Sequence, residues 1–235
     1  MQALLSCDVP LTTVFLDAGG VLVTPNWRRV SAALAAHGVL VTADALGAAD
    51  PLARRDIDLG LGSAASDQQR GWGYFNLVLE HCGVPLSPAT GAALEELHLY
   101  HAEHNLWETV PDGVPDALDR LRAMGLKLVV VSNANGKLKV LFARLDLARR
   151  FDVMIDSAEE GVEKPDPRIF ELALERSGAR REETLHVGDL YYVDVEGARG
   201  VGLQAVLLDT ADLYGGFNCR RIRTLGELPE LIASF

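Results

Sequence analysis

A chain of 235 residues, 49% of them hydrophobic, can build one large domain or a main domain with a smaller one inserted, and no segment reads as disordered. The formal charge of −11 argues against nucleic acid, whose phosphates it would repel, and requires that any anionic substrate be drawn in by a metal or a few placed cations. No apolar run approaches a membrane span, and the N-terminus MQALLSCDVP has neither the basic stretch nor the long apolar segment of a secretory signal.

In chain order, the first element is the apolar run TTVFLDAGGVLVTP (residues 12–25), a strand ending on Asp17 and followed by two glycines. Residues 26–107 have hardly any strand signal. WRRVSAALAAHGV, SDQQRGWGYFNLVLEHCGV and PATGAALEELHLYHAEHNLW are helical, so this part reads as an all-helical insertion, with Trp72, Tyr74 and Phe75 in its core. From about Pro111 the pattern changes to short apolar strands alternating with helices. The strands are GLKLVVVSN (125–133), FDVMIDS (151–157), ETLHVGD (183–189) and LQAVLLD (203–209). Between them, Val114, Leu118 and Leu121, then Leu138, Leu141 and Leu145, then Ile169, Leu172 and Ala173 recur at helical spacing. Nearly all-apolar strands with intervening helices predict an α/β fold: a doubly wound, Rossmann-like parallel sheet with right-handed crossovers. Its core would comprise residues 1–25 and 108–235, with residues 26–107 as a helical cap. Cys7, Cys82 and Cys219 are far apart and odd in number, which reads as reduced thiols of a cytoplasmic protein.

Ligands of open parallel sheets bind outside the carboxyl ends of the strands. Those ends carry Asp17, then Ser132 and Asn133, then Lys164 before its helix, then Gly188, Asp189 and, five residues on, Asp194. Each residue alone is ordinary turn or loop chemistry. Together they gather three carboxylates, a hydroxyl, an amide and an ammonium on one edge, and clustered carboxylates repel unless a cation lies between them. Mg²⁺ fits, since it accepts a few carboxylates and carbonyls and leaves positions for phosphate oxygens.

Four motifs in order, DAGGVL, VVVSNAN, EKPDPRIF and HVGDLYYVD, make the sequence resemble the haloacid dehalogenase superfamily over nearly its whole length, and specifically members with a helical cap after the first strand. The resemblance implies that Asp17 is a nucleophile forming an aspartyl-phosphate. Ser132 and Lys164 would hold the transferring phosphoryl group, Lys164 would keep Asp17 ionised, and Asn133 would support the phosphate or orient its loop. Mg²⁺ would be held by Asp17, Asp189, the main-chain carbonyl of Gly19, and Asp194 as ligand or supporting partner. The implied substrate is a small phosphorylated metabolite, with no nucleic acid or membrane as partner; oligomeric state is not legible.

One residue departs from that pattern. Phosphatases of the family carry a second Asp two residues after the nucleophile, as acid for the leaving alcohol and then base for water, and here that position is Gly19. A general acid/base is typically worth ~10²–10⁴-fold in rate. The alternatives are a dehalogenase, whose halide needs no proton but whose relatives are metal-free and lack the Gly188, Asp189, Asp194 arrangement; a phosphatase that manages without the carboxylate; or a decayed enzyme that only binds a phosphate or metabolite. A phosphonatase needs a cap lysine, and Lys127, Lys137, Lys139 and Lys164 all lie outside the cap. Among possible stand-ins for the acid, His37, His81, His98, His101 and His104 read first as structural; the three-residue spacing of the last three suggests a metal triad only weakly.

Overall fold

The computed structural model describes residues 10–61 and 67–234; Cys7 and the side chain of Trp72, both named above, lie outside the described set. Strands β1 (Thr13–Leu16), β2 (Lys127–Ser132), β3 (Val153–Asp156), β4 (Thr184–Gly188), β5 (Gln204–Leu208) and β6 (Arg220–Ile222) form one parallel sheet in the order β3-β2-β1-β4-β5-β6. The strand order reverses at β1, the place where doubly wound sheets open a crevice.

Period-two alternation sends successive side chains to opposite faces. Val14 and Leu16 of β1, Leu128 and Val130 of β2, and Leu185 and Val187 of β4 pack on one side. Helices α5 (Val114–Ala123), α6 (Leu138–Arg144) and α8 (Leu228–Ile232) cover that face through Leu118, Leu121, Leu141 and Leu228. Phe15, Val129, Val131 and Ile155 point the other way, against Ile169, Phe170 and Ala173 of α7 (Pro167–Ser177). Leu145 and Leu172, expected in these faces, are only half-buried: α6 ends at Arg144 and the chain turns to bury Leu147 instead, while Phe170 and Leu174 take the inner face of α7.

The five expected strands are present. The sixth, β6, reads as Arg-Arg-Ile: it is three residues long and pairs at the sheet edge, where charged side chains stay solvated and leave no apolar signal.

Helices α1 (Trp27–Ala36), α2 (Ala43–Leu61), α3 (Asp67–His81) and α4 (Pro88–His104) surround a separate apolar cluster containing Leu34, Leu46, Phe75, Val78 and Leu97. The aromatic expectation holds for Tyr74 and Phe75, both buried, with ring centroids 4.9 Å apart. Asn26 caps α1 at Arg29 N, and Ser87 with Thr90 forms a capping box on α4. The segments joining this bundle to the sheet run side by side, tied by reciprocal hydrogen bonds between Thr24 and Thr109.

Helix α2 is the element that the sequence pattern hides. Gly47, Pro51 and Gly60 are poor helix residues. It forms because Leu46, Ala49, Ala53 and Ile57, spaced three and four apart, face the cluster. A second stripe at fourfold spacing, Asp50, Arg54 and Asp58, turns to the sheet domain. Among the described residues no helix is long and apolar enough to cross a membrane.

Candidate active site

Register explains why the site residues meet. Leu16 lies beside Val130 of β2 and Val187 of β4, and Asp17 N donates to Val187 O at 2.9 Å. Neighbouring strands lie about 4.8 Å apart, so the residues just beyond these positions, Asp17, Ser132 and Asp189, emerge side by side. They line a cavity of about 1240 Å³, together with Lys164, Asp194, Asn133, Gly19 and, from the helical bundle and its return segment, Arg54, Tyr74 and Trp107.

At the centre is a buried ionic chain. Lys164 Nζ stands 2.8 Å from Asp17 Oδ1 and 2.7 Å from Asp194 Oδ1. His186, which points from β4 away from Leu185 and Val187, packs edge-on to Phe170 and places Nε2 2.9 Å from the same Asp194 oxygen. An ionised carboxylate only accepts, so Nε2–H donates, while burial lowers the His186 pKa. Leu190 N donates to Asp194 Oδ2 at 3.1 Å. Both Asp194 oxygens are therefore engaged. Burial works to raise its pKa, but Lys164 and His186 outweigh it and hold the carboxyl below the usual range.

Asn133 is turned inward on the loop after β2. Its amide donates to Lys164 O at 2.9 Å and accepts from Lys164 N at 2.7 Å, so it clamps the main chain that aims the lysine. Ser132 is buried at the cavity wall.

Asp17 and Asp189 are less well compensated. Burial raises Asp17 to about 6 against the pull of Lys164, and raises Asp189 to about 7 against the pull of Arg54. Burial opposes the charge of Lys164, yet Asp17 and Asp194 raise its pKa well above the ordinary lysine value. Asp17, Asp189 and Asp194 each offer an oxygen within 4.8 Å of the others. An all-carboxylate set of this kind suits a hard cation such as Mg²⁺, which would offset the burial and mutual repulsion that raise the pKa of Asp17 and Asp189. Among the described residues this is the one group with metal-ligand spacing; the histidines of α4 make no such group. His101 instead accepts from Leu106 N at 3.1 Å and packs on Trp107.

The two glycines after Asp17 differ. Gly20 has φ 81°, and a Cβ there would lie 2.3 Å from Asp189 Oδ2 and 2.4 Å from Arg54 Nη1, so no side chain fits. Gly188 is equally constrained, since its Cβ would fall 2.0 Å from Asp194 Cγ. Gly19 is under no such demand: a Cβ would meet Trp107 Cδ1 and Nε1 at an ordinary 3.6 Å.

Four participants were not singled out from sequence. Asp50, Arg54 and Asp58 lie on α2, and their only signal is acid-base-acid spacing of four in a helix disguised by Pro51. His186 sits inside an apolar strand, where a histidine reads as core.

Residues 11–202 match the haloacid dehalogenase-like hydrolase family. The chain belongs to that family and is a hydrolase. Haloacid dehalogenase-like hydrolase domain-containing protein 3 of Bos taurus is 32% identical over 178 residues, 74% of this chain and 70% of that protein. Ribulose-1,5-bisphosphate 5-phosphatase of Halopiger xanaduensis is 31% identical over 195 residues, 77% and 79% of the two chains. The human counterpart of the bovine protein is 35% identical over 126 residues, a match that spans 50% of its length. A solved phosphatase of the family from Thermococcus onnurineus superposes with a TM-score of 0.60 at 25% identity, covering 94% of this chain and 98% of its own. Solved haloacid dehalogenases at 18–22% identity share the fold alone.

Proposed function

We propose that the protein is a Mg²⁺-dependent phosphatase that cleaves a small phosphorylated metabolite through an aspartyl-phosphate on Asp17. The observation that carries this reading is Asp17 itself: a buried carboxylate lining a large cavity, paired to Lys164 and close to Asp189. Relatives named as phosphatases of ribulose bisphosphate and of glyceraldehyde 3-phosphate support a small phosphorylated substrate.

In the first step an Asp17 oxygen attacks phosphorus, and the bond to the leaving oxygen breaks with its electron pair. Lys164 keeps Asp17 ionised and, with the Ser132 hydroxyl, binds the phosphoryl oxygens. Asn133 and Asp194 act one layer behind, fixing the lysine backbone and its ammonium. In the second step water hydrolyses the acyl-phosphate, releasing phosphate and restoring Asp17. Asp17, Asp189 and the Gly19 carbonyl would hold Mg²⁺, with Asp194 in support; when bound, the ion supplies charge neutralisation to the phosphoryl group. Residues 26–107 act as the cap that selects the substrate.

The dehalogenase reading draws support from Gly19, but it gives no reason for gathering Asp17, Asp189 and Asp194 within 4.8 Å of one another. A panel of phosphorylated metabolites and aryl phosphates, assayed for phosphate release with and without Mg²⁺, separates the readings. Release that requires Mg²⁺ and disappears in Asp17→Asn is expected. Halide release from a 2-haloacid without metal would install the dehalogenase, and binding without turnover of any substrate would make the protein a decayed enzyme.

A further inference from the structure

Helix α2 carries a cation into the carboxylate cluster. The Arg54 side chain, 16% exposed, forks between two acids: Nε and Nη2 reach Asp50 at 2.8 and 2.9 Å, while Nη1 lies 2.7 Å from Asp189 Oδ2 and 3.5 Å from Gly20 O. Tyr74 Oη braces Asp50 from behind at 2.6 Å. One turn further along the same helix, Asp58 accepts from Tyr191 N at 2.8 Å, Tyr192 N at 3.0 Å and Tyr214 Oη at 3.0 Å. Those amides follow Asp189 by two and three residues. Two side chains of one bundle helix thus grip the loop between β4 and Asp194 at both of its chemical handles, carboxylate and main chain.

We infer that Arg54 is a tethered counter-ion, which competes with a divalent cation for Asp189, so that cation binding and docking of α2 on the sheet domain oppose each other. This rests on the reading that Asp189 is a cation ligand. The physical basis is short. A guanidinium in contact with a carboxylate lowers the affinity of that carboxylate for a dication by direct repulsion, and the effect is strong in a buried site. Cation binding at Asp189 weakens the Arg54 anchor. Asp58 is rigidly coupled to Arg54 by a single helical turn, so its hold on Tyr191 and Tyr192 loosens as well. Linkage makes the relation reciprocal: whatever keeps α2 docked weakens cation binding by the same factor.

The test uses the full chain and Mn²⁺ or Mg²⁺ as the probe, without substrate. Mn²⁺ affinity, read by calorimetry or electron spin resonance, should tighten by at least about fivefold in Arg54→Met, as expected from removing one adjacent positive charge. Because that change leaves Asp50 unpaired, the double variant Asp50→Asn/Arg54→Met should show the same gain with fewer consequences for folding. Arg54→Lys, which keeps the charge, should stay close to the parent. In the unmutated protein, Mg²⁺ should speed hydrogen exchange at the amides of Tyr191 and Tyr192, whereas Na⁺ at equal ionic strength should not. Affinity that is equal or weaker in both Arg54→Met variants, or exchange that slows with Mg²⁺, overturns the competition. Absence of cation binding in parent and variants alike overturns the metal reading too, and so is distinguishable from failure of this inference alone.

Discussion

Gly19 is the residue on which the chemistry turns. At this position the backbone is not left-handed and a Cβ meets only Trp107 at 3.6 Å, so the missing carboxylate is not imposed by the turn. Gly20 next to it is imposed, by Asp189 and Arg54. Without an acid at position 19, the first step should favour leaving groups that depart as stable anions, such as aryl oxides, over basic alkoxides. We expect Gly19→Asp to raise alkyl phosphate hydrolysis by up to about 10²-fold while changing aryl phosphate hydrolysis little, in line with the typical worth of a general acid. Steady-state rates over a series of leaving groups check this. Parent rates that are flat across the series, with no gain in the variant, would mean that another group supplies the proton.

At the scale of elements, α2 decides how the helical bundle meets the sheet. Asp58 is almost fully buried and receives two main-chain N–H groups and one phenol, with burial as the main cause that raises its pKa. Asp58→Ala leaves one buried and two part-buried donors without this acceptor, and each such loss costs about 1–3 kcal/mol when unrelieved. Chemical denaturation should therefore show a loss of at least about 1 kcal/mol; an unchanged midpoint would mean that the contact does not hold the two parts together. The same helix marks what sequence patterning could and could not reach. The strands β1 to β5 were legible because each is apolar on both faces; Asp17, Ser132 and Asp189 were legible because they stand at or just past the ends of such strands, and Lys164 and Asp194 because they follow in the EKPDPRIF and HVGDLYYVD motifs. Arg54 and Asp58 were not, since their importance comes from a packing of one element on another that no local pattern encodes. Asn133 was legible as a site residue, but its attachment to the Lys164 main chain depends on a contact between loops 31 residues apart.

For the molecule as a whole, an acidic chain sets two cations, Lys164 and Arg54, against its carboxylate cluster. Lys164 pairs with Asp17 and Asp194 and Arg54 with Asp189, one cation rooted in the sheet domain and the other in the helical bundle. On the proposed reading, Lys164 is the local cation that meets a phosphoryl group in this acidic protein, while Arg54 brings the bundle into contact with the site. The central claim is that Asp17 becomes phosphorylated during turnover. Rapid quenching into acid after mixing with an aryl phosphate and Mg²⁺, followed by mass spectrometry of the intact chain and its peptides, tests it most directly. One added phosphoryl group on the peptide carrying Asp17, absent from Asp17→Asn, is the result the account predicts; steady phosphate release with no adduct at any time point, or with the adduct on another residue, would contradict it.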